Sequence, residues 1–120
     1  MQAFDVHSQC TDERVRVQVL GEVDLATAPR VASCLAACAP GRGCSVELDL
    51  SEVGFIDSTG VHLLLRVKAE ARRECWTLTI VPSDAVRRIV SVLALQDALL
   101  GPPLPAFEAS PRSSTATVAV

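Results

Sequence analysis

Apolar and polar residues alternate along four stretches of the chain, and this alternation is typical of β-strands that bury one face. The stretches are residues 4–10, 14–19, 46–50 and 76–80. Only a short polar segment, 11–13, separates the first stretch from the second. We therefore predict that the first two strands form an antiparallel hairpin.

Three other stretches carry apolar residues at intervals of three and four, as expected for helices that bury one stripe. The first helix is predicted to begin at Thr27 or just before it, with Pro29 in its first turn, and to end before residues 40–43. The second follows residues 57–59, and the third begins at residues 82–84. The residues predicted to face inward from the third helix are Val86, Ile89, Val90 and Leu93.

The segments between these elements are shorter and less regular. Residues 21–24 are expected to end the second strand. Residues 51–54 are expected to loosen the backbone after the third strand, and Phe55 and Ile56 to return to the core. The short apolar piece 97–100 is expected to add an edge element.

All four predicted strands have one polar face, whereas a sheet covered by helices on both sides would show continuous apolar strands. We therefore predict an α/β fold: a mixed sheet of four to five strands, with helices packed mainly on one face. Right-handed crossovers would join the second strand to the third and the third to the fourth. After Gly101, four prolines and a Ser/Thr-rich run predict a flexible tail at 101–120, which leaves residues 1–100 as a single domain.

The composition excludes several classes of function. Hydrophobic residues make up 49% of the 120 residues, which is enough for one core. The net charge of −3 argues against a nucleic-acid surface, where a basic stripe would be expected. No apolar run reaches the ~18 residues that span a bilayer, and the N-terminus lacks the basic and apolar regions of a signal peptide. We therefore predict a cytoplasmic protein that binds neither nucleic acid nor membrane.

The five cysteines and two histidines do not form a metal-ligand pattern, because no CxxC pair occurs and His7 and His62 fit no ligand spacing. Cys34 and Cys38 fall on the predicted inner stripe of the first helix, where a thiol serves as a small hydrophobe. We predict reduced thiols, no metal and no cofactor.

The strongest candidate site is the predicted start of the second helix. Asp57, Ser58 and Thr59 are all residue types that cap helix N-termini. Free backbone N–H groups and the helix dipole make such a place tolerant of an anion. Gly60 is unfavourable so near a helix start, and its missing side chain would let another protein approach the Ser58 backbone closely. We interpret this stretch as a docking site.

Two enzymatic interpretations fail on the residues. A nucleophile elbow would need a glycine where Ile56 stands, and no histidine beyond His62 is available as a base. A phospho-receiver with Asp57 as acceptor would need an acidic pair after the first strand and a late lysine, but Lys68 is the only lysine. A Gly-rich phosphate loop is also absent from the sequence. We therefore predict a binding module without catalytic residues, with a hydroxyl that can be modified.

Three segments of the sequence resemble the STAS domain family, and in particular bacterial anti-anti-sigma factors. They are GEVD at 21–24, DLSEVGFIDSTGV at 49–61 and VPSDAVRRIVSVLALQDAL at 81–99. The similarity covers roughly residues 3–100, and the Asp-Ser-Thr-Gly run after an apolar strand is its most specific part. The resemblance implies a mixed sheet with helices mainly on one side, in agreement with the alternation of the strands.

The resemblance also implies a function. An antagonist of this family binds, while unphosphorylated, an anti-sigma factor that is also a serine kinase, and so frees a sigma factor. The kinase phosphorylates the serine at the helix start, which matches Ser58, and a PP2C-type phosphatase is implied as the partner that resets the cycle. The partner-binding residues implied by the resemblance are Gly21, Asp24, Asp57, Ser58, Thr59 and Gly60.

Simpler interpretations of these residues stay open. Ser58 or Thr59 could serve only as a helix cap, Asp57 only as a partner of the helix dipole, and Asp24 only as a turn residue. The alternative function is a STAS subunit of a multi-component assembly, for lipid transport or stress signalling, that has no phospho-switch. In that alternative Ser58 is purely structural.

Overall fold

The computed structural model describes residues 3–100 as eight elements of secondary structure. They are, in chain order, β1 (Asp5–Cys10), β2 (Arg14–Val23), α1 (Ala28–Cys38), β3 (Ser45–Ile56), α2 (Ser58–Glu74), β4 (Thr77–Val81), α3 (Asp84–Val92) and α4 (Gln96–Leu99). The tail predicted at 101–120 lies outside the described residues, so the domain boundary at residue 100 stays a prediction.

The four strands form one mixed sheet in the order β1-β2-β3-β4. Strands β1 and β2 are antiparallel, as predicted for the hairpin, and β2, β3 and β4 run parallel to their neighbours. A helix between two parallel strands makes a right-handed crossover in nearly all folds. Because both crossovers step in the same direction along the sheet, α1 and α2 lie on the same face, where they contact each other. The predicted α/β architecture is confirmed.

The alternation of β2 decides which face of the sheet is covered. Val15, Val17 and Val19 are buried, whereas Arg16 and Gln18 between them are only partly covered. One face therefore carries the core and the other is wetter, as the polar positions indicated. Among residues 3–100, no helix is long and apolar enough to cross a membrane.

The pairing between β2 and β3 contains two irregularities. While β2 advances from Gln18 to Leu20, β3 advances by three residues, and while β2 advances from Gly21 to Glu22, β3 advances by two. Each step leaves one extra residue in β3, which is the definition of a β-bulge. A bulge turns the following side chains to the opposite face, so the simple alternation of β3 breaks down after its first half.

The two bulges correct the prediction for residues 51–56. These residues belong to β3 and do not form a separate loop. Leu50, Val53 and Ile56 are buried at a spacing of three, because each bulge adds one residue to the normal spacing of two. Phe55, which was predicted to return to the core, is 49% exposed.

Strand β2 extends further than its sequence predicts. It continues to Val23, so that only Asp24 of the segment 21–24 lies beyond the strand. Gly21 adopts a φ of +97°, which is open to glycine but strained for other residues. A Cβ atom on Gly21 would lie 2.8 Å from the carbonyl oxygen of Ala3 and 2.8 Å from the Cα atom of Phe4. Glycine is therefore needed for the close packing of the chain at this point.

Helix α3 agrees with the prediction except at its C-terminal end. Val86 and Val90 of α3 are fully buried. The helix ends at Val92, so Leu93 leaves the inward stripe and is 44% exposed, against prediction. The short apolar piece predicted as an edge element is the single helical turn α4, and the sheet formed by residues 3–100 has four strands.

Candidate functional site

The first turn of α2 is capped by Asp57 and not by Ser58. Asp57 has an extended backbone, and its carboxylate accepts a hydrogen bond from the N–H of Gly60 at 3.1 Å. Its carbonyl oxygen accepts the first helical hydrogen bond, from Val61, also at 3.1 Å. Of the three capping residue types in this stretch, Asp57 therefore does the capping. Ser58 is the first residue inside the helix.

Ser58 is left free by this arrangement. Its side chain is exposed, and its hydroxyl makes no hydrogen bond with any residue in the range 3–100. The backbone N–H groups of Ser58 and Thr59 lie in the first turn, where no intrahelical acceptor exists. The hydroxyl therefore stands beside unpaired donors and the positive end of the helix dipole, where a covalently attached anion would be tolerated.

Gly60 has an internal role that differs from the one the sequence suggested. It is buried, and a Cβ atom at this position would lie 2.5 Å from Cγ1 of Ile56 and 3.0 Å from Cγ1 of Val23. The space beside Gly60 is therefore filled by the protein's own side chains. The absence of a side chain lets α2 begin directly against the ends of β2 and β3.

Asp24 forms a tight turn into α1. One oxygen of its carboxylate accepts hydrogen bonds from the N–H groups of Ala26, at 3.0 Å, and Thr27, at 3.1 Å. The N–H of Asp24 donates to the hydroxyl oxygen of Thr27 at 3.0 Å, and that hydroxyl donates to the carbonyl of Glu22 at 2.7 Å. The other carboxylate oxygen has no hydrogen-bond partner among the described residues. Asp24 therefore stabilises the turn into α1, and one of its carboxylate oxygens is left to accept a hydrogen bond from another molecule.

The sheet register brings the two aspartates to the same edge. Val23 and Ile56 are partners in the parallel pairing of β2 with β3, and Asp24 and Asp57 are the residues that follow them. The N–H of Asp57 donates to the carbonyl of Val23 at 3.3 Å, which ties the two strand ends together. Because neighbouring strands are ~4.8 Å apart, the predicted residues Asp24, Asp57 and Ser58 do lie together at one edge.

Two apolar side chains at this edge were not predicted from the sequence. Leu25, in the turn after Asp24, is 76% exposed, and Phe55 is paired in register with Glu22 near the end of β3. Contiguous apolar patches rimmed by polar residues are typical of protein-binding surfaces, whereas single exposed apolar residues are common on any surface. We call the group of residues at or just after the ends of β2 and β3, namely Asp24, Leu25, Phe55, Asp57 and Ser58, the switch edge. Leu25 lies in a turn without periodicity, so no sequence signal would have identified it.

Asp49 is the one buried charged side chain among the described residues, and it lies outside the switch edge. Burial tends to raise the pKa of its carboxyl, but hydrogen bonds from the hydroxyl and N–H of Ser51 lower it, as does the charge of Arg16. The net pKa is below the ordinary value of an aspartate. The hydroxyl of Ser51 donates to Oδ1 of Asp49 at 2.6 Å. The buried carboxylate therefore has hydrogen-bond partners within the protein, and its role is structural.

Most of the chain matches a known protein family. Residues 6–102 match the family model described as "Mlab, STAS domain". An anti-sigma-B factor antagonist of Listeria monocytogenes is 28% identical over 96 residues, which cover 79% of this chain and 83% of the relative.

Solved structures with a similar fold include an anti-sigma factor antagonist from Mycobacterium paratuberculosis, with 24% identity and a TM-score of 0.65 over 85% of this chain and 88% of that chain. Another is the anti-sigma factor antagonist SpoIIAA in its unphosphorylated form, with 24% identity and a TM-score of 0.56 over 78% of this chain and 82% of that chain. On the match of the family model to residues 6–102, the chain belongs to the STAS domain family.

Proposed function

We propose that this protein is an anti-sigma factor antagonist, which binds an anti-sigma factor serine kinase in the cytoplasm and thereby releases a sigma factor. The observation that carries the proposal is the exposed hydroxyl of Ser58, which is free of any capping role because Asp57 caps α2. The names of the relatives, which are antagonists of anti-sigma factors, support the same class of function.

The switch edge offers the kinase a mixed surface. Leu25 and Phe55 supply exposed apolar area, while Asp24, Asp57 and the hydroxyl of Ser58 supply polar contacts. Apolar anchors surrounded by polar groups are a common composition of protein interfaces. Thr59, which is partly exposed, borders this surface. Gly21 and Gly60 would contribute through the shape of the edge, because both are buried.

Phosphorylation of Ser58 would end the interaction. A phosphoserine carries about −1.5 to −2 charges at pH 7. The start of α2 favours an anion by about 0.3–1 kcal/mol when it is exposed, and the neighbouring Asp57 offsets part of this gain. The fold should therefore be unchanged, whereas a docked partner would have to desolvate the phosphate. The description of one similar structure as an unphosphorylated form agrees with such a switch. A PP2C-type phosphatase would restore binding.

Affinity capture from the native cell tests the proposal. Tagged wild-type protein, Ser58→Ala and Ser58→Asp are used as matched baits, and the captured proteins are identified by mass spectrometry. We expect the wild type and Ser58→Ala to capture a kinase-like anti-sigma factor and Ser58→Asp to lose it. Incubation of the captured kinase with ATP should add one phosphate to the wild type and none to Ser58→Ala.

Other results would contradict the proposal in distinguishable ways. Equal capture by all three baits would remove the phospho-switch and leave the antagonist function. Capture of lipid-transport or stress-complex subunits by all three baits, without a kinase, would establish the alternative of a STAS subunit in a larger assembly. Phosphate added at another residue would show that Ser58 is not the modified serine.

A further inference from the structure

Two cysteines that are distant in the sequence meet at the end of the molecule opposite the switch edge. The Sγ atom of Cys10, the last residue of β1, lies 2.8 Å from the Sγ atom of Cys38, the last residue of α1. Cys10 is paired with Val15 near the beginning of β2, whereas the switch edge follows the end of that strand. Both cysteines are free thiols in this structure.

We propose that Cys10 and Cys38 form a redox modification site, which a peroxide converts from two thiols into one disulfide bond. The sulfur atoms of a disulfide are ~2.05 Å apart, so the two sulfurs have to approach each other by less than about 1 Å. Such a movement is within the reach of side-chain rotation. The proposal does not depend on the function proposed for the switch edge.

Cys10 is placed to react first. Its side chain is exposed, whereas Cys38 is partly covered. Burial, together with the hydrogen bond to Cys10, raises the pKa of the Cys38 thiol to about 11. Cys38 therefore remains a thiol near neutral pH and is a poor first nucleophile. Its contact with Cys10, at 2.8 Å between the sulfur atoms, nevertheless makes Cys38 the thiol that can attack Cys10 once that sulfur is oxidised.

The reaction balances with hydrogen peroxide as the only oxidant. The thiolate of Cys10 attacks one peroxide oxygen, the O–O bond breaks, and the released hydroxide takes up a proton and leaves as water. The sulfur of Cys38 then attacks the sulfenic acid sulfur of Cys10. The S–S bond forms, the S–O bond breaks, and the leaving hydroxide takes the proton of Cys38 to give a second water. Two electrons from the two thiols thus reduce one peroxide to two waters.

A disulfide explains this pair better than a metal site does. Residues 3–100 contain no group of three or more histidine, cysteine or acidic side chains that could hold a metal ion. Cys34 lies one helical turn before Cys38, but the only sulfur–sulfur contact among the described residues joins Cys10 to Cys38. Two thiols in contact, without a third ligand, can form a disulfide and not a metal centre.

The disulfide would connect two separate parts of the fold. Cys10 and Cys38 are 28 residues apart in the sequence, and the bond would join edge strand β1 to helix α1. Closing a loop of this size limits the freedom of the unfolded chain. We expect the oxidised protein to unfold at a temperature higher by on the order of 10 °C.

Peptide mapping of the full-length protein after treatment with hydrogen peroxide tests the site. Free thiols are alkylated, the protein is digested with trypsin, and linked peptides are sequenced by fragmentation. We expect the peptide with Cys10 to be linked to the peptide that contains both Cys34 and Cys38, with fragment ions that assign the bond to Cys38. Dithiothreitol should reverse the linkage and the rise in unfolding temperature.

Matched variants separate this pair from the other thiols. Cys10→Ser and Cys38→Ser should lose the linkage, whereas Cys75→Ser, at an exposed thiol after α2, should keep it. Mapping of the wild type alone decides the matter if a variant fails to fold. The proposal is wrong if Cys10 and Cys38 remain alkylated while Cys75 is oxidised, or if the bond joins Cys34 or a second chain.

Discussion

Two helices of this protein begin directly after a parallel strand, and they use a serine in opposite ways. At the start of α3, Ser83 is the cap, and its hydroxyl oxygen accepts a hydrogen bond from the N–H of Val86 at 3.2 Å. At the start of α2, Asp57 is the cap, and Ser58 is the next residue. The hydroxyl of Ser83 is therefore engaged in holding the helix, while that of Ser58 is exposed and free.

The third residue after each cap shows a second difference. Gly60 and Val86 occupy equivalent positions, because each donates its N–H to the side chain of the cap. Val86 is fully buried and fills the core, whereas the space beside Gly60 is already filled by Ile56 and Val23. The start of α3 thus contributes a side chain to the core. The start of α2 is closely packed at Gly60 and exposed to solvent at Ser58.

A serine at a strand–helix junction is therefore not by itself evidence of a regulatory site. Ser83 has the same type of location as Ser58, but its hydroxyl is taken by the helix end. Ser58 becomes a candidate because another residue has taken over the capping and because Leu25 and Phe55 are exposed at the same edge. The surroundings of each hydroxyl, and not the residue type, separate the two serines.

The largest effect is expected from replacing Gly60 with valine, the residue that stands at the equivalent position of α3. Gly60→Val should lower the free energy of unfolding by about 3 kcal/mol or more, because the added side chain overlaps Ile56 and Val23. Thermal unfolding should show a midpoint lower by ~12 °C or more. Gly41→Val is the control, since no atom lies within 4 Å of the added Cβ there. Equal stability of Gly60→Val and wild type would show that the site beneath α2 is not tightly packed.

The next largest effect concerns binding. Ser58→Asp should weaken the affinity for the kinase by ~100-fold, because an unpaired carboxylate in the interface has to lose its water. Ser83→Asp is the matched control, because aspartate caps helices as well as serine does. Residue 83 also lies outside the switch edge. Calorimetric titration measures both affinities, and melting curves show whether each variant is folded. A loss of affinity that follows from melting alone would contradict the interface mechanism.

A smaller effect is expected from removing the caps. Ser83→Ala and Asp57→Ala should each lower the free energy of unfolding by ~1 kcal/mol, because each leaves a helix N–H without its acceptor. Ser58→Ala should change it by less than ~0.5 kcal/mol, as is usual for exposed positions. Urea unfolding measures all three values. If Ser58→Ala were as destabilising as Ser83→Ala, Ser58 would have a capping role and the comparison would fail.

The smallest effect is expected from removing the tail. Truncation after Gly101 should leave the midpoint of thermal unfolding unchanged, since the Pro/Ser/Thr-rich sequence has little apolar surface to bury. The shortened chain would then allow the two helix starts to be compared without the tail. A truncation that also removes the buried Leu99 is the control and should lower the midpoint. A large loss on the first truncation would show that the domain extends beyond residue 100.

Local patterns in the sequence were enough to predict the order and type of the main elements. The alternation at residues 14–19 and 46–50 identified two central strands and their inward faces, because side chains in a strand point to opposite sides in turn. Pro29 and Ser83 marked helix starts, because proline and serine are suited to the first turn and the cap respectively. These signals are local, so they can be recognised without knowledge of the fold.

The sequence also located the candidate site, but it did not show which residue caps the helix there. The run of residues 57–60 placed a helix start after a strand, and the resemblance to STAS domains pointed to Ser58. Which of the adjacent polar residues would cap the helix could not be decided, because Asp57, Ser58 and Thr59 are all suitable capping types. The backbone geometry decided in favour of Asp57.

Features that depend on how distant segments meet could be recognised only in the folded chain. The bulges in β3, which expose Phe55, arise from its pairing with β2, more than 30 residues earlier in the sequence. Gly60 is required because Val23 and Ile56 reach the same space from two different strands. The contact between Cys10 and Cys38 joins segments 28 residues apart. Periodicity and capping describe neighbours along the chain, whereas these contacts are set by register and packing across it.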